Sequence, residues 1–184
     1  MTDHRRAEGQ PPTATRLQLG LADEAATVEL GKRLATTLVP GLKIYLHGDL
    51  GAGKTTLSRA LLQAMGHPGR VKSPTYTLVE VYDLSRLNLY HFDFYRFRDA
   101  QEWREAGFSD YFGGDAVCLV EWPEKAGDEL PPPDLDIFMA MVGDDDGSAH
   151  HSNEERRVEI LARTAEGKRC VASLTASYSH ANSS

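Results

Sequence analysis

The segment from Gly48 to Thr55 constrains the fold of this chain more than any other feature, because it reads G-D-L-G-A-G-K-T. This is the phosphate-binding loop pattern G-x-x-x-x-G-K-[ST], in which a strand ends, a glycine-rich turn follows and a helix begins. An apolar run at residues 42–46 precedes the loop, and a helix-like stretch at residues 54–65 follows it. The sequence therefore predicts a nucleotide site in an α/β domain.

The residue types of this loop match the chemistry of phosphate binding. Gly48, Gly51 and Gly53 permit positive φ angles and a close approach of the backbone, so that successive amides can point at an anion. We expect Lys54 to reach the β- and γ-phosphates of ATP and the Thr55 hydroxyl to ligate Mg²⁺. The alternative, a glycine-rich turn that binds nothing, explains neither Lys54 nor Thr55. The predicted nucleotide-binding residues of the loop are Gly48, Asp49, Leu50, Gly51, Ala52, Gly53, Lys54, Thr55 and Thr56.

Composition and charge limit the class of protein. The chain has 184 residues, of which 41% are hydrophobic, enough for one domain with a substantial core. Its formal net charge of -7 argues against a broad basic face that grips nucleic acid. Cys118 and Cys170 lack metal-ligand spacing, and no apolar run has the length of a membrane span. We therefore expect a soluble cytoplasmic protein whose contact with RNA, if any, is indirect.

The hydrophobic pattern predicts one ATPase domain at residues 15–172, between disordered tails at 1–14 and 173–184. A β-hairpin is expected in residues 76–94, where two alternating segments flank a polar turn. The polar segment 143–153 is expected to be a solvated loop. The predicted strands are 16–19, 42–46, 76–82, 89–94, 116–120, 136–142 and 157–161, and the predicted helices are 22–38, 54–65 and 99–106.

Two carboxylates stand where a phosphate-binding loop needs acidic partners, at the ends of neighbouring strands. Glu121 directly follows the apolar run 116–120, and Asp93 ends a second apolar segment. The position of Glu121 favours a functional role slightly, but spacing alone also allows a solvent-facing charge at Glu121 and a turn or cap carboxylate at Asp93. Trp122 either covers the nucleotide or Glu121, or packs as an ordinary strand-end tryptophan. Thr75 is a candidate γ-phosphate sensor, although a proline-containing loop alone would also explain that segment.

Four motifs in order resemble one family. The segments G-D-L-G-A-G-K-T-T-L, V-K-S-P-T-Y-T-L-V-E, Y-H-F-D-F-Y-R and L-V-E-W-P-E-K are similar to those of the TsaE family, small bacterial ATPases of tRNA threonylcarbamoyladenosine biosynthesis. The resemblance spans residues 19–161. It implies a three-layer α/β domain of the P-loop NTPase type with a mixed central sheet, and Mg²⁺-dependent ATP hydrolysis. It also implies a cytoplasmic partnership with the two-protein threonylcarbamoyl-transferase complex, which modifies position 37 of ANN-decoding tRNAs.

The same resemblance implies roles for individual residues. Thr55 and Glu121 match the Mg²⁺ ligands of the family, and Asp93 matches its essential acidic residue. Trp122 matches the neighbour of that glutamate, and Glu24 falls where the family contacts the base of the nucleotide. Together with Lys54, Asp93 and Glu121 are therefore the expected catalytic residues.

Two other classes remain open from the residues alone. A small-molecule or nucleotide kinase would carry the same loop together with an arginine-rich lid, for which Arg96, Arg98 and Arg104 are the available residues. A nucleotide-binding module without catalysis would keep the loop but would not need Asp93 and Glu121.

Overall fold

The computed structural model describes residues 15–98, 101–142 and 155–181. Short 3-10 helices lie at Phe108–Phe112, Pro123–Lys125 and Gly127–Glu129. The strands and α-helices are β1 (Arg16–Leu21), α1 (Glu24–Thr37), β2 (Lys43–His47), α2 (Lys54–Ala64), β3 (Val79–Asp83), β4 (Asn88–Asp93), α3 (Gln101–Glu105), β5 (Val117–Glu121), β6 (Leu135–Met141), β7 (Arg156–Ala162) and α4 (Ala165–Ala181).

The strands that the structure describes form one mixed sheet in the order β1-β7-β6-β2-β5-β4-β3. β2 runs parallel to β5 and β6, and β4 runs parallel to β5, whereas the remaining pairs are antiparallel. The carboxyl ends of β2, β4 and β5 therefore meet at one edge, the usual ligand crevice of an open α/β sheet. The predicted α/β class with a mixed central sheet is confirmed.

Side chains alternate between two cores on the opposite faces of the sheet. Ile44 and Leu46 pack with helices α1, α2 and α4, whereas Tyr45 joins an aromatic cluster on the other face. Trp103 of α3 and Phe108 of the first 3-10 helix belong to that cluster. Every residue of β5 is buried, which explains why this central strand reads as an unbroken apolar run. The result is the predicted arrangement of three layers.

The predicted hairpin exists, because β3 and β4 pair antiparallel. β3 begins later than the alternating pattern suggested, at Val79. The preceding residues form a turn closed by the bond from Leu78 N–H to Pro74 O at 2.6 Å, with Leu78 at a φ of 65°.

The disordered tail predicted from residue 173 is wrong for residues 173–181, which continue helix α4. Cys170, Val171 and Leu174 of this helix are buried in the core beside α1. Arg33 of α1 donates a 2.6 Å hydrogen bond to the carbonyl of Ser177. The many serine and alanine residues of this segment make its apolar face difficult to recognise in the sequence. The helix is stabilised mainly by tertiary packing, which composition does not indicate. The predicted tail at 1–14 and the predicted loop at 143–153 lie outside the described residues.

Candidate functional site

The phosphate-binding loop joins the carboxyl end of β2 to α2, as the motif predicts. Gly48 has a φ of +136°, and a Cβ at this position would lie 2.1 Å from the carbonyl oxygen of Met139. Gly53, the N-cap of α2, has a φ of +104°. Glycine is therefore required at both positions, at the first by space and conformation and at the second by conformation.

Lys54 is the first residue of α2 and is only 4% exposed. Its Nζ donates hydrogen bonds to the carbonyl oxygens of Gly48 and Asp49. The same ammonium lies 3.8 Å from the centre of the Trp122 ring. Burial lowers the pKa of Lys54, and nearby carboxylates, Glu121 first among them, oppose that shift. The loop and the aromatic ring thus hold a buried cation at the mouth of the site.

Glu121 ends β5 with a carboxylate that is almost completely buried. Its Oε2 accepts a 3.0 Å hydrogen bond from Thr55 Oγ1. Its Oε1 lies 3.1 Å from Ser58 Oγ and 2.9 Å from His91 Nε2. The structure therefore excludes a solvent-facing charge and brings together the two residues expected to ligate Mg²⁺.

Asp93 ends β4 directly opposite Glu121 in the parallel register of β4 and β5. Its Oδ2 lies 2.6 Å from Ser73 Oγ and 2.8 Å from Thr75 Oγ1, and these two hydroxyl oxygens are 2.7 Å apart. Its Oδ1 accepts a 3.0 Å hydrogen bond from the backbone N–H of Tyr95. Asp93 is thus a turn carboxylate, as one reading of the sequence held, and it also organises the loop of the candidate γ-phosphate sensor.

Trp122 adopts a left-handed backbone conformation, with φ 60° and ψ 48°. Such a conformation is uncommon for a bulky residue and marks a position worth a functional explanation. The ring lies over Lys54 and contacts Tyr95 at a centroid distance of 5.0 Å. Trp122 therefore covers Lys54 as well as packing at the strand end.

These groups line a cavity of about 360 Å³. Most of the predicted site residues line this cavity: Glu24, Leu50, Gly51, Gly53, Lys54, Thr55, Thr56, Thr75, Asp93, Glu121 and Trp122. Three predicted loop residues do not line it. Gly48 and Asp49 border a neighbouring cavity beside Phe138, and Ala52 is buried in the core.

Sequence reasoning missed several residues of the site. Ser73, Tyr95 and Arg156 line the cavity, and Ser58 and His91 contact Glu121 from within the core. His91 had a detectable signal, because the alternation of β4 places it on the same face as Asp93. Arg156 had none, since it comes from β7 at the far end of the chain.

Comparisons with known proteins agree with this geometry. The family model described as threonylcarbamoyl adenosine biosynthesis protein TsaE matches residues 21–149. The relative named tRNA threonylcarbamoyladenosine biosynthesis protein TsaE from Haemophilus influenzae is 41% identical over 160 residues, which cover 84% of this chain and 95% of the relative. The protein of the same name from Bacillus subtilis is 38% identical over 135 residues, covering 73% and 84% respectively.

A solved structure supports the same relationship. The crystal structure of Bacillus subtilis YdiB superposes with a TM-score of 0.71 at 30% sequence identity, covering 88% of this chain and 95% of that chain. The family match, the curated relatives and the shared fold lead to one conclusion: the chain belongs to the TsaE family.

Proposed function

We propose that this protein is a Mg²⁺-dependent ATPase that supports formation of threonylcarbamoyladenosine at position 37 of ANN-decoding tRNAs. In this proposal it acts in the cytoplasm on the two-protein threonylcarbamoyl-transferase complex, and it contacts tRNA only through that complex. The names of its relatives support the pathway. The observation that carries the ATPase assignment is the pair of buried carboxylates, Asp93 and Glu121, side by side next to the phosphate-binding loop.

The loop would bind the phosphates of ATP through its amides and through Lys54. The Lys54 ammonium already lies within the loop, where phosphate oxygens would replace the carbonyl oxygens of Gly48 and Asp49 as its partners. The N-terminus of α2 adds the positive end of its dipole at the same place. Together these groups would stabilise the negative charge of the bound triphosphate.

Thr55 and Glu121 would hold Mg²⁺ between them. Their facing oxygens are 3.0 Å apart, and a hydroxyl with one carboxylate is a typical protein contribution to a Mg²⁺ site that also includes phosphate oxygens and waters. When bound, Mg²⁺ would neutralise charge on the transferring phosphoryl group.

Asp93 would position or activate the attacking water. Its carboxylate is fixed by Ser73, Thr75 and the backbone of Tyr95, so it is held in one orientation towards the cavity. Thr75, bonded to Asp93, could report the presence of the γ-phosphate to that carboxylate. Glu24, at the start of α1, would contact the base of the nucleotide.

The kinase alternative gains no support from the arginines that a lid would use. Arg96 stacks on the Tyr76 ring at 4.0 Å, and Arg104 pairs with Glu129 at 2.6 Å. None of the three candidate lid arginines, Arg96, Arg98 and Arg104, lines the cavity. A module that only binds nucleotide would have no need of a carboxylate at Asp93 to act on water. The described residues include no helix with the length and apolar content needed to cross a membrane.

The decisive experiment is phosphate release from ATP with and without the purified transferase complex, in the absence of other phosphate acceptors. An ATPase releases phosphate under these conditions, and the complex should increase the rate. A kinase would release no phosphate here, because it passes the γ-phosphoryl group to an acceptor rather than to water, and a pure binding module would release none either. The Lys54→Ala protein controls for contaminating ATPases.

A further inference from the structure

The two oxygens of the Glu121 carboxylate have different surroundings. Oε2 meets the hydroxyl of Thr55, which lines the cavity. Oε1 meets His91 and Ser58, both of which are fully buried. One oxygen is thus held from the interior, and the other is turned towards the place proposed for Mg²⁺.

The fold brings these partners to Glu121 from two directions. His91 lies two residues before Asp93 on β4, opposite Leu119, and so occupies the position next to Glu121 on the same face of the sheet. Ser58 comes from α2, one turn after Lys54, and its hydroxyl also lies 2.9 Å from the Lys54 carbonyl oxygen. The strand and the helix that flank the carboxylate therefore both contribute to holding it.

A histidine at position 91 lowers the stability of the core through its second ring nitrogen, Nδ1. Nε2 faces a carboxylate oxygen and therefore carries a hydrogen. Nδ1 is buried and has no hydrogen-bond partner among the described residues. An unsatisfied buried nitrogen is unfavourable, so an apolar side chain of similar size would suit the core better. If His91 served only to fill the core, an apolar residue would do so without leaving a buried nitrogen unpaired. The contact between Nε2 and Glu121 is therefore the feature that calls for a histidine.

We propose that His91, assisted by Ser58, is a positioning residue that orients Glu121 for Mg²⁺. This inference rests on the proposed function, since it assumes that Glu121 is a metal ligand. Residues that hold a ligand from behind tune metal affinity without touching the metal, and their loss typically weakens binding about 10- to 100-fold.

The test measures metal binding rather than activity. Mn²⁺ replaces Mg²⁺, and the electron paramagnetic resonance signal of free Mn²⁺ reports its affinity for the full-length protein saturated with ADP. We expect His91→Leu to weaken Mn²⁺ binding about 10- to 100-fold. The affinity for fluorescent ADP in EDTA should remain that of the wild type. His91→Gln should recover most of the Mn²⁺ affinity, because its side-chain amide can donate from the position of Nε2. Ser58→Ala should show a smaller loss.

Matched variants separate positioning from packing. Leu119→Val alters the residue opposite His91 without touching Glu121, and it should bind Mn²⁺ like the wild type. Wild-type Mn²⁺ affinity in His91→Leu would overturn the proposal, as would a His91→Gln protein as weak as His91→Leu. If His91→Leu does not fold, His91→Gln and His91→Asn are compared instead. The shorter side chain of Asn does not reach Glu121, so the His91→Asn protein must bind Mn²⁺ more weakly than the His91→Gln protein.

The experiment also distinguishes two kinds of failure. If the wild-type protein with ADP binds no Mn²⁺, the metal site of the proposed function is wrong, and the role of His91 falls with it. If the wild-type protein binds Mn²⁺ and His91→Leu binds it equally well, only the positioning role is rejected.

Discussion

Asp93 and Glu121 are register partners at the ends of the parallel strands β4 and β5, and each carboxylate accepts a hydrogen bond from a threonine that lines the cavity. Glu121 is tied to Thr55 of the phosphate-binding loop, whereas Asp93 is tied to Thr75 of the loop before β3. Adjacent carboxylates with separate partners can carry separate tasks.

This separation predicts that the two carboxylates fail differently when neutralised. Glu121→Gln should weaken the Mg²⁺ dependence of ATP binding, because it neutralises the carboxylate proposed as a metal ligand. Asp93→Asn should retain Mg²⁺-dependent ATP binding and lose turnover. Equilibrium binding of a fluorescent ATP analogue across a Mg²⁺ titration, beside steady-state phosphate release, checks both expectations. Normal hydrolysis by both variants would show that the roles are wrong.

Lys54→Ala should reduce ATP turnover by more than about a hundredfold, since it removes the cation expected at the β- and γ-phosphates. Thermal stability should not fall, because burial disfavours the charged form of Lys54 in the folded protein. Thr55→Ala should also abolish turnover, because it removes the hydroxyl proposed as a Mg²⁺ ligand. Phosphate release and a melting curve on each variant test this, with the exposed Lys125→Ala as a matched control. Wild-type turnover in a folded Lys54→Ala protein would contradict the site assignment.

Helix α4 should contribute to the stability of the domain. Leu174→Ala removes a fully buried side chain between α4 and the rest of the core and should cost about 2 to 5 kcal/mol of unfolding free energy. Ser173→Ala, at an exposed neighbouring position, should change it little. Urea denaturation compares the two. Equal stability of both variants would mean that residues 173–181 do not pack as described.

The buried Asp136 should make stability depend on pH. Burial raises the pKa of Asp136, but hydrogen bonds from His47 and Arg163 outweigh that effect and lower it below its ordinary value. A carboxylate whose pKa is lower in the folded state stabilises the fold above the unfolded pKa of about 3.9 and loses that contribution as pH falls through the folded pKa. The stability advantage of the wild type over Asp136→Asn should therefore be constant near neutral pH and shrink in acid.

Urea denaturation of both proteins at pH 7 and at a series of acidic pH values measures this advantage. The exposed Asp128→Asn is the control, and its difference from the wild type should stay small throughout. An advantage that grows as the pH falls would have the wrong sign for this mechanism.

Depletion of the protein should lower threonylcarbamoyladenosine in ANN-decoding tRNAs, as measured by nucleoside mass spectrometry. Expression of the wild type should restore the modification, and expression of Lys54→Ala should not. The isolated chain, with a net charge of -7, should bind tRNA only weakly at physiological salt. Unchanged modification after depletion would reject the pathway, whereas tight, salt-resistant tRNA binding would reject the indirect mechanism.

The local parts of this structure could be predicted from the sequence. The phosphate-binding loop, β2 and α2 follow from adjacent residues, and the strand-end positions of Asp93 and Glu121 follow from the apolar runs before them. Two partners of these carboxylates could not be predicted in the same way. Ser58 and Ser73 reach them through long-range packing, which no local period encodes.

Helix α4 is an element that the local sequence pattern did not reveal. Its buried face consists of few large residues among serine and alanine, so the sequence resembled a tail. The helix is stabilised by contacts with α1, including the Arg33 guanidinium, which lies 4.6 Å from the centre of the Tyr178 ring. A pattern read along one segment does not contain those contacts.

At Trp122, strain in the backbone is opposed by the packing of the side chain. A left-handed conformation costs a non-glycine residue roughly 1 to 2 kcal/mol, whereas glycine adopts it freely. Glycine would relieve that strain, yet it would uncover the Lys54 ammonium and remove the ring packed on Tyr95. The strained backbone therefore persists because the ring that it carries is packed on both sides, against a charged group on one and an aromatic ring on the other.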